Sequence, residues 1–188
     1  MKVRYIKSAK VAADYPFPYK PEVAIVGRSN AGKSSFINAL VGQKIAKVSG
    51  TPGKTRLLNF FEFDESIYMV DMPGYGFAKG DVKEVESWKT MIEDYLRERK
   101  SLKGVLLIMD IRREWSADEE MLREWLDHHG KKWGVILNKA DKLTQSQIMQ
   151  KAKSFARDLG DVPIFILSSL KKRGLNDVKN LVFKEWPK

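Results

Sequence analysis

The stretch Gly27-Arg28-Ser29-Asn30-Ala31-Gly32-Lys33-Ser34 determines the fold class, because it matches the pattern G-x-x-x-x-G-K-[ST]. An apolar stretch typical of a buried strand, Glu22–Val26, precedes it, and Phe36, Ile37 and Leu40 follow it at helical spacing. A strand, a glycine-rich loop and a helix in this order predict a phosphate-binding loop, whose backbone amides face an anion.

Each fixed residue of this loop has a physical role. Gly27 and Gly32 allow backbone angles and close approaches that a Cβ would forbid. Lys33 is predicted to place its charge between the β- and γ-phosphates of a nucleotide, and the hydroxyl of Ser34 to bind Mg²⁺. The alternative, a glycine-rich turn that only caps a helix, is disfavoured by the strand and the helix on either side.

Short apolar stretches alternate with helical patterns along the chain, and Ser116–Glu119 and Thr144–Gln147 have the spacing of capping boxes. Six strands are predicted: Glu22–Val26, Leu57–Phe63, Ser66–Asp71, Gly104–Asp110, Trp133–Asn138 and Pro163–Leu167. The second and third resemble a hairpin, so one strand is expected to be antiparallel to the rest. We therefore expect a three-layer α/β P-loop NTPase fold, with a mostly parallel six-stranded sheet and helices on both faces. Ligands of such sheets bind beyond the carboxyl ends of the strands.

The segment Asp71-Met72-Pro73-Gly74 ends a predicted strand, 38 residues after Lys33. On its own, the pattern D-x-x-G is usually a turn. In this position, Asp71 is predicted to hold the Mg²⁺ shell together with Ser34, and the amide of Gly74 to sense the γ-phosphate.

The preceding loop, Gln43–Arg56, is polar, has two glycines and Pro52, and shows no apolar periodicity. A loop of this length is either functional or mobile. It offers two threonines that could close over the metal, Thr51 and Thr55, and their spacing does not choose between them.

The segment Asn138-Lys139-Ala140-Asp141 follows another predicted strand, and we expect it to select the base. Guanine presents an N1–H and an N2 amine on one edge, and one carboxylate, that of Asp141, can accept from both. Adenine would leave that carboxylate unpaired, so the discrimination should be large. Asn138 is expected to tie the loops together, and the stem of Lys139 to cover one face of the base. Leu167-Ser168-Ser169, after the last strand, is predicted to offer a backbone amide to guanine O6, or else to act as a simple helix cap.

These four elements resemble the translation-factor class of small GTPases. Three segments are similar to those of the YihA/EngB/YsxC family of bacterial ribosome-assembly GTPases, within the TrmE-Era-EngA-YihA-septin-like superfamily. They are the loop Gly27–Ser34, the stretch Thr51-Pro52-Gly53-Lys54-Thr55-Arg56 and the segment Asp71-Met-Pro-Gly-Tyr-Gly-Phe-Ala78. The resemblance implies a G domain over residues 21–188, after a basic lead-in at residues 1–20. It implies that Thr55, rather than Thr51, binds Mg²⁺, and that Gly53, Lys54, Thr55 and Arg56 line GTP or GDP. It also implies a role in maturation of the large ribosomal subunit, whose precursor RNA and proteins would be the partners.

Tyr75 occupies the position at which many small GTPases have a glutamine that orients the attacking water. A phenol cannot do the same, so GTP hydrolysis, for which Lys33, Thr55 and Gly74 are the candidate catalytic residues, should be slow. Either a partner completes the site in trans, or K⁺ supplies the missing charge. The resemblance implies that Asn30 helps to bind K⁺, because related bacterial GTPases use an asparagine at this position. The alternative for Asn30 is that it only stabilises the turn of the loop.

The composition excludes several classes of protein. The 188 residues include no cysteine, and the longest strongly apolar run is Val105–Met109. The N-terminus lacks the apolar core of a signal peptide. We therefore expect a cytoplasmic protein without stable membrane association, and we expect it to be a monomer. The net charge is +10, with +4 in residues 1–20 and +8 in residues 131–188. These ends could attract a polyanion or be ordinary solvated lysines.

Three functions are consistent with these features of the sequence. The first is a GTP-driven switch that docks on an immature large subunit. The second is a GTPase acting in tRNA modification, in cell division or at a membrane, and the third is a GTP-gated RNA-binding module with negligible hydrolysis.

Other residues are candidate contacts with RNA. Trp88 and Trp125 are expected in the core, whereas Trp115 is a candidate for stacking on RNA bases. The segment Lys171-Lys172-Arg173 could touch a phosphate backbone or be solvated.

Overall fold

A computed structural model of the chain describes residues 1–47, 57–75 and 82–187, and for residues 82–89 it describes the backbone only. The strands are β1 (Val3–Ala9), β2 (Glu22–Val26), β3 (Leu58–Phe63), β4 (Ile67–Asp71), β5 (Leu102–Asp110), β6 (Trp133–Asn138) and β7 (Ile164–Ile166). The helices are α1 (Lys33–Val41), α2 (Val82–Glu98), α3 (Ala117–His128), α4 (Gln145–Leu159) and α5 (Leu175–Asn180), which continues as a π-helical turn over Leu181–Glu185. Short 3₁₀ turns lie at Ala12–Asp14 and Ala140–Lys142.

All the strands belong to one sheet, in the order β1-β3-β4-β2-β5-β6-β7. Only β3 runs against the others, because it is antiparallel to both of its neighbours while β4, β2, β5, β6 and β7 pair in parallel. The predicted mostly parallel sheet with one antiparallel strand is therefore confirmed.

Among the described residues the sheet has seven strands rather than the six predicted, because the first 20 residues include a strand. Val3–Ala9 forms the edge strand β1 and pairs with β3 from Val3 opposite Phe63 to Ala9 opposite Leu58. The sequence of β1 mixes polar and apolar residues, and most of its side chains are only half-buried or exposed. Cations such as Arg4 and Lys7 on an edge strand oppose pairing with a strand of another molecule. In the sequence the same cations make this segment resemble a basic tail.

Helices cover both faces of the sheet, as predicted. Alternate residues of β2 divide between two cores: Val23 and Ile25 pack with residues of α1 and α5, whereas Ala24 and Val26 pack with residues of α2, α3 and α4. The capping boxes predicted at the starts of α3 and α4 are both present. No helix in the described ranges combines the length and the apolarity needed to span a bilayer.

Because β2, β4, β5, β6 and β7 are parallel, their carboxyl ends meet at one edge of the sheet. The segments that begin at Gly27, Asp71, Asn138 and Leu167 all follow these ends. The fold thus brings together four segments that are far apart in the sequence.

Candidate functional site

The loop between β2 and α1 has two glycines that no other residue could replace without rearrangement. Gly27 has a φ of +151°, and a Cβ there would lie 2.2 Å from the carbonyl oxygen of Ile108. Gly32 has a φ of +103°, and its Cβ would lie 2.4 Å from Nδ2 of Asn138. The loop therefore packs directly against the ends of β5 and β6.

Lys33 begins α1 and is buried under this loop. Its Nζ donates to the carbonyl oxygens of Gly27, at 3.1 Å, and Arg28, at 3.3 Å. Burial lowers the pKa of Lys33, and the nearby carboxyl of Asp71 opposes that shift. The cation is thus held at the centre of the loop, where its charge is poorly solvated and would favour an anion.

Ser34 and Asp71 meet beside Lys33. Ser34 Oγ donates to Oδ2 of Asp71 at 2.8 Å, while Oδ1 of Asp71 is buried without a hydrogen-bond partner in the part of the chain that the structure describes. Burial raises the pKa of Asp71, and Lys33 and Ser34 oppose that shift. A buried carboxylate oxygen left unpaired next to a hydroxyl is the donor set that Mg²⁺ accepts when water and phosphate complete its shell.

Gly74 lies against the phosphate loop, where a Cβ would come within 2.8 Å of the backbone of Ser29 and 3.0 Å of Nζ of Lys33. The amide of Ser29 donates to the carbonyl oxygen of Tyr75 at 3.0 Å. Met72 and Pro73 connect this contact to Asp71, and Met72 is fully buried. Glycine at position 74 is thus required by close packing on the loop.

The residues predicted to select the base also lie close together. Asn138 Nδ2 donates to the carbonyl oxygen of Ala31 at 3.2 Å, and its Oδ1 accepts from the amide and hydroxyl of Ser169 at 3.1 and 3.0 Å. The hydroxyl of Ser168 donates to Oδ1 of Asp141, and this hydrogen bond lowers the pKa of that carboxyl. Asn138 therefore ties the loop ends together, as predicted.

Two acidic residues of the site were not found from the sequence. Asp110, at the end of β5, pairs with Lys139 at 3.1 Å and Arg112 at 2.6 Å. Burial alone would raise the pKa of Asp110, but hydrogen bonds from Arg112 and Lys139 hold it well below the ordinary range. Lys139 Nζ also donates to the carbonyl oxygen of Asn30 at 2.7 Å. Asp110 ends a predicted strand, as Asp71 and Asn138 do, and this position could have identified it from the sequence.

Glu119 is the second residue that sequence reasoning missed, because its place in a capping box already explained it. It is buried, and its Oε1 accepts from the phenol of Tyr75 at 2.8 Å. Burial and Glu119 raise the pKa of the Tyr75 phenol. Arg28 lies 3.0 Å from Asp118 and 4.0 Å from Glu119, so the phosphate loop also contacts the start of α3.

Several predicted positions lie outside the described residues. These are Thr51 and the whole predicted set Gly53, Lys54, Thr55 and Arg56, together with the segment after Tyr75 up to Ala78. The side chain of Trp88 is likewise outside them. Within the described ranges, no group of three or more His, Asp or Glu side chains could hold a metal.

The tryptophans contribute to packing where they are described. Trp115 is half-buried, with its ring edge-on to Phe155 at 6.1 Å, so it is less open for stacking on a base than expected. Trp125 is half-buried and packs against the core, as predicted, and stacks on His129 at 3.9 Å.

One edge of the sheet carries a phosphate loop, an adjoining Ser–Asp pair and an N-K-x-D segment. This combination defines a P-loop GTP-binding protein of the G-domain class. The sequence model of the family described as "50S ribosome-binding GTPase" matches residues 22–139. The probable GTP-binding protein EngB of Bdellovibrio bacteriovorus is 53% identical over 186 residues, which cover 99% of this chain and 93% of that protein. The chain belongs to the EngB family of GTP-binding proteins and is a GTPase.

Two solved structures agree with this assignment. A crystal structure of a probable GTP-binding protein EngB superposes with a TM-score of 0.70 at 25% identity, covering 87% of this chain and 97% of that one. Era, in complex with MgGDPNP and nucleotides 1506–1542 of 16S ribosomal RNA, superposes with a TM-score of 0.69 at 25% identity, covering 90% of this chain and 58% of that one.

Proposed function

We propose that this protein is a Mg²⁺-dependent GTP switch that hydrolyses GTP slowly and acts, as a cytoplasmic monomer, in assembly of the large ribosomal subunit. Residues 21–188 form the nucleotide-binding unit, to which residues 1–20 add an edge strand. The observation that carries the switch is the contact of Gly74 with the phosphate loop. A Cβ on Gly74 would lie 3.0 Å from Nζ of Lys33, so one γ-phosphate can contact both the Gly74 amide and Lys33.

The chain's own residues bind the triphosphate without large rearrangement. Lys33 gives up contacts to two carbonyl oxygens and donates instead to phosphate oxygens, while the amides at the start of α1, those of Gly32, Lys33 and Ser34, face the β-phosphate. Asp141 accepts from the two donors of guanine, and Ser169 stays fixed by Asn138 so that the segment Leu167–Ser169 can meet O6.

Ser34 and Asp71 are the described residues that fit a Mg²⁺ site, since Oδ1 of Asp71 is buried and unpaired. Thr55 is the further ligand that the family resemblance implies. When bound, Mg²⁺ would neutralise charge on the β- and γ-phosphate oxygens. Ser34 and Asp71 hold each other in position through their 2.8 Å hydrogen bond.

Slow hydrolysis follows from the position of Tyr75. Its phenol donates to the buried Glu119, and burial and Glu119 both raise its pKa, so it stays protonated and cannot act as a base at neutral pH. A group supplied by the partner, or K⁺ near Asn30, would complete the site.

The ribosomal role is supported by the description of the matching family as ribosome-binding and by the RNA-bound structure of the related Era protein. Co-sedimentation with ribosomal particles tests it. We expect the protein to sediment with immature large subunits in the presence of a non-hydrolysable GTP analogue and Mg²⁺, and to be released with GDP. Binding to anionic liposomes instead would support action at a membrane. Equal sedimentation with both nucleotides would contradict a switch.

A further inference from the structure

Five cations form what we call the basic rim, around the base end of the nucleotide site: Lys44, Lys142, Lys171, Lys172 and Arg173. All five are exposed. They come from three connections: the one after α1, the one after β6 and the one between β7 and α5. The last of these reaches the first, since Nζ of Lys172 lies 3.9 Å from where a Cβ of Gly42 would be.

The charge of the basic rim is almost unopposed. Lys142 lies 3.9 Å from Asp141, and no other ion pair of the rim occurs with the described acidic side chains. Asp141 itself is shielded, because its side chain is 10% exposed and the hydroxyl of Ser168 donates to it. Asp177, in the first turn of α5, is the remaining acid next to the loop in sequence.

The loop between β7 and α5 is held in one conformation that presents three consecutive cations. Ser168 and Arg173 exchange two backbone hydrogen bonds, at 3.2 and 3.1 Å, and Ser168 Oγ accepts from the amide of Lys171 at 3.1 Å. Lys172 has a φ of +52°. Since the same hydroxyl of Ser168 binds Asp141, the loop and the base-selecting carboxylate share one anchor.

We infer that the basic rim binds the phosphate backbone of RNA, so that the RNA partner lies against the guanine end of the nucleotide site. This rests on the proposed function, of which it names the contact surface. Charge complementarity favours RNA, because the five cations are exposed and only Lys142 has an ion pair with a described acidic side chain, so they are available to replace the counterions of a phosphate backbone. A membrane surface is less suited, since Leu170, 71% exposed, is the one large apolar residue described as exposed that adjoins these cations in the sequence.

The test compares two triple variants that lose the same charge. The first is Lys171→Gln, Lys172→Gln and Arg173→Gln. The control is Lys100→Gln, Lys103→Gln and Lys132→Gln, at the opposite edge of the sheet, where β5 and β6 begin. Binding of a fluorescein-labelled 30-nucleotide poly(U) RNA is measured by anisotropy between 50 and 200 mM KCl, and GTP affinity serves as the check of folding.

We expect the rim variant to bind RNA at least about tenfold more weakly, with a salt slope shallower by about 2, and the control to resemble the unaltered protein. GTP affinity should be unchanged in both. Equal losses in the two variants would overturn the assignment, and so would no loss in the rim variant. Retention of the unaltered protein on phosphatidylglycerol vesicles, but not on RNA, would overturn it in favour of a membrane.

Failure of this inference can be separated from failure of the proposed function. If the rim variant still binds RNA and sediments with immature large subunits as the unaltered protein does, only the surface is misassigned. If the unaltered protein binds neither RNA nor these particles, the ribosomal role fails as well.

Discussion

The phenol of Tyr75 donates a 2.8 Å hydrogen bond to Oε1 of the buried Glu119. The other carboxylate oxygen of Glu119 accepts from the amide and the hydroxyl of Ser116, at the start of α3. One carboxylate therefore joins the residue after Gly74 to a neighbouring helix. The position that many GTPases use to orient water has become a structural contact in this protein.

Tyr75→Phe should therefore lower stability more than activity. The change leaves Oε1 of Glu119 buried with one partner fewer, which should cost about 1–3 kcal/mol of the free energy of unfolding. GTP turnover without a partner should stay within about twofold, because the phenol of Tyr75 is hydrogen-bonded to Glu119 and does not orient water. Urea unfolding and single-turnover hydrolysis measure the two effects.

Tyr5→Phe is the matched control, because Tyr5 donates or accepts in an exposed hydrogen bond with Ser8 at 2.8 Å. Removing it should change the free energy of unfolding by less than about 0.5 kcal/mol. If Tyr75→Phe abolished hydrolysis while leaving stability unchanged, the phenol would be catalytic and the structural interpretation wrong.

Asp71→Asn should weaken Mg²⁺ binding and change the pH dependence of stability. Burial raises the native pKa of Asp71, so in the absence of metal the free energy of unfolding falls as pH rises from about 4 through that higher pKa. The variant should lose this decrease. It should also need about 10–100-fold more Mg²⁺ for half-maximal GTP binding. Thermal unfolding across pH and a Mg²⁺ titration check both, and an unchanged Mg²⁺ requirement would contradict the assigned ligand.

Short sequence motifs predicted the positions of two segments at the carboxyl ends of the strands. Gly27–Ser34 follows β2 and Asn138–Asp141 begins at the last residue of β6, as expected from the sequence, and their roles in phosphate and base recognition stay predictions. β1 was missed since it is an edge strand with mostly half-buried or exposed side chains and lacks the continuous apolar run of the central strands. Asp110 was missed because Lys139, which links it to the site, is 29 residues away. Glu119 was missed because its capping box already explained it, while Tyr75 is 44 residues away and comes near it only in the folded protein.

Asp141→Asn should exchange guanine preference for xanthine preference. Asparagine presents an amine where the carboxylate accepts from guanine, whereas xanthine offers an oxygen at the position of the guanine amine. GTP affinity should fall by about two orders of magnitude or more, and xanthosine triphosphate should bind better than GTP. Competition with a fluorescent nucleotide measures this, and the site has been misread if the preference for GTP survives.

Asp110→Asn tests whether the acid at the end of β5 positions Lys139. The carboxylate pairs with Lys139 at 3.1 Å, so its loss should free the lysine stem from the face of the base. GTP and GDP affinities should fall together, by about three- to tenfold, because both nucleotides share the base. Arg112→Gln, which removes the other partner of Asp110, is the control and should have a smaller effect. A change in the ratio of the two affinities would point to a role at the phosphates.

Asn30→Gly separates the two roles considered for Asn30. The residue has a φ of +64°, which glycine adopts without strain, and its backbone carbonyl still accepts from Lys139. The side-chain amide, which makes no hydrogen bond to the described residues, is lost. If that amide helps to bind K⁺, the stimulation of hydrolysis by K⁺ over Na⁺ at equal ionic strength should be present in the unaltered protein and absent in the variant. If Asn30 only shapes the turn, the two proteins should hydrolyse GTP equally in both salts.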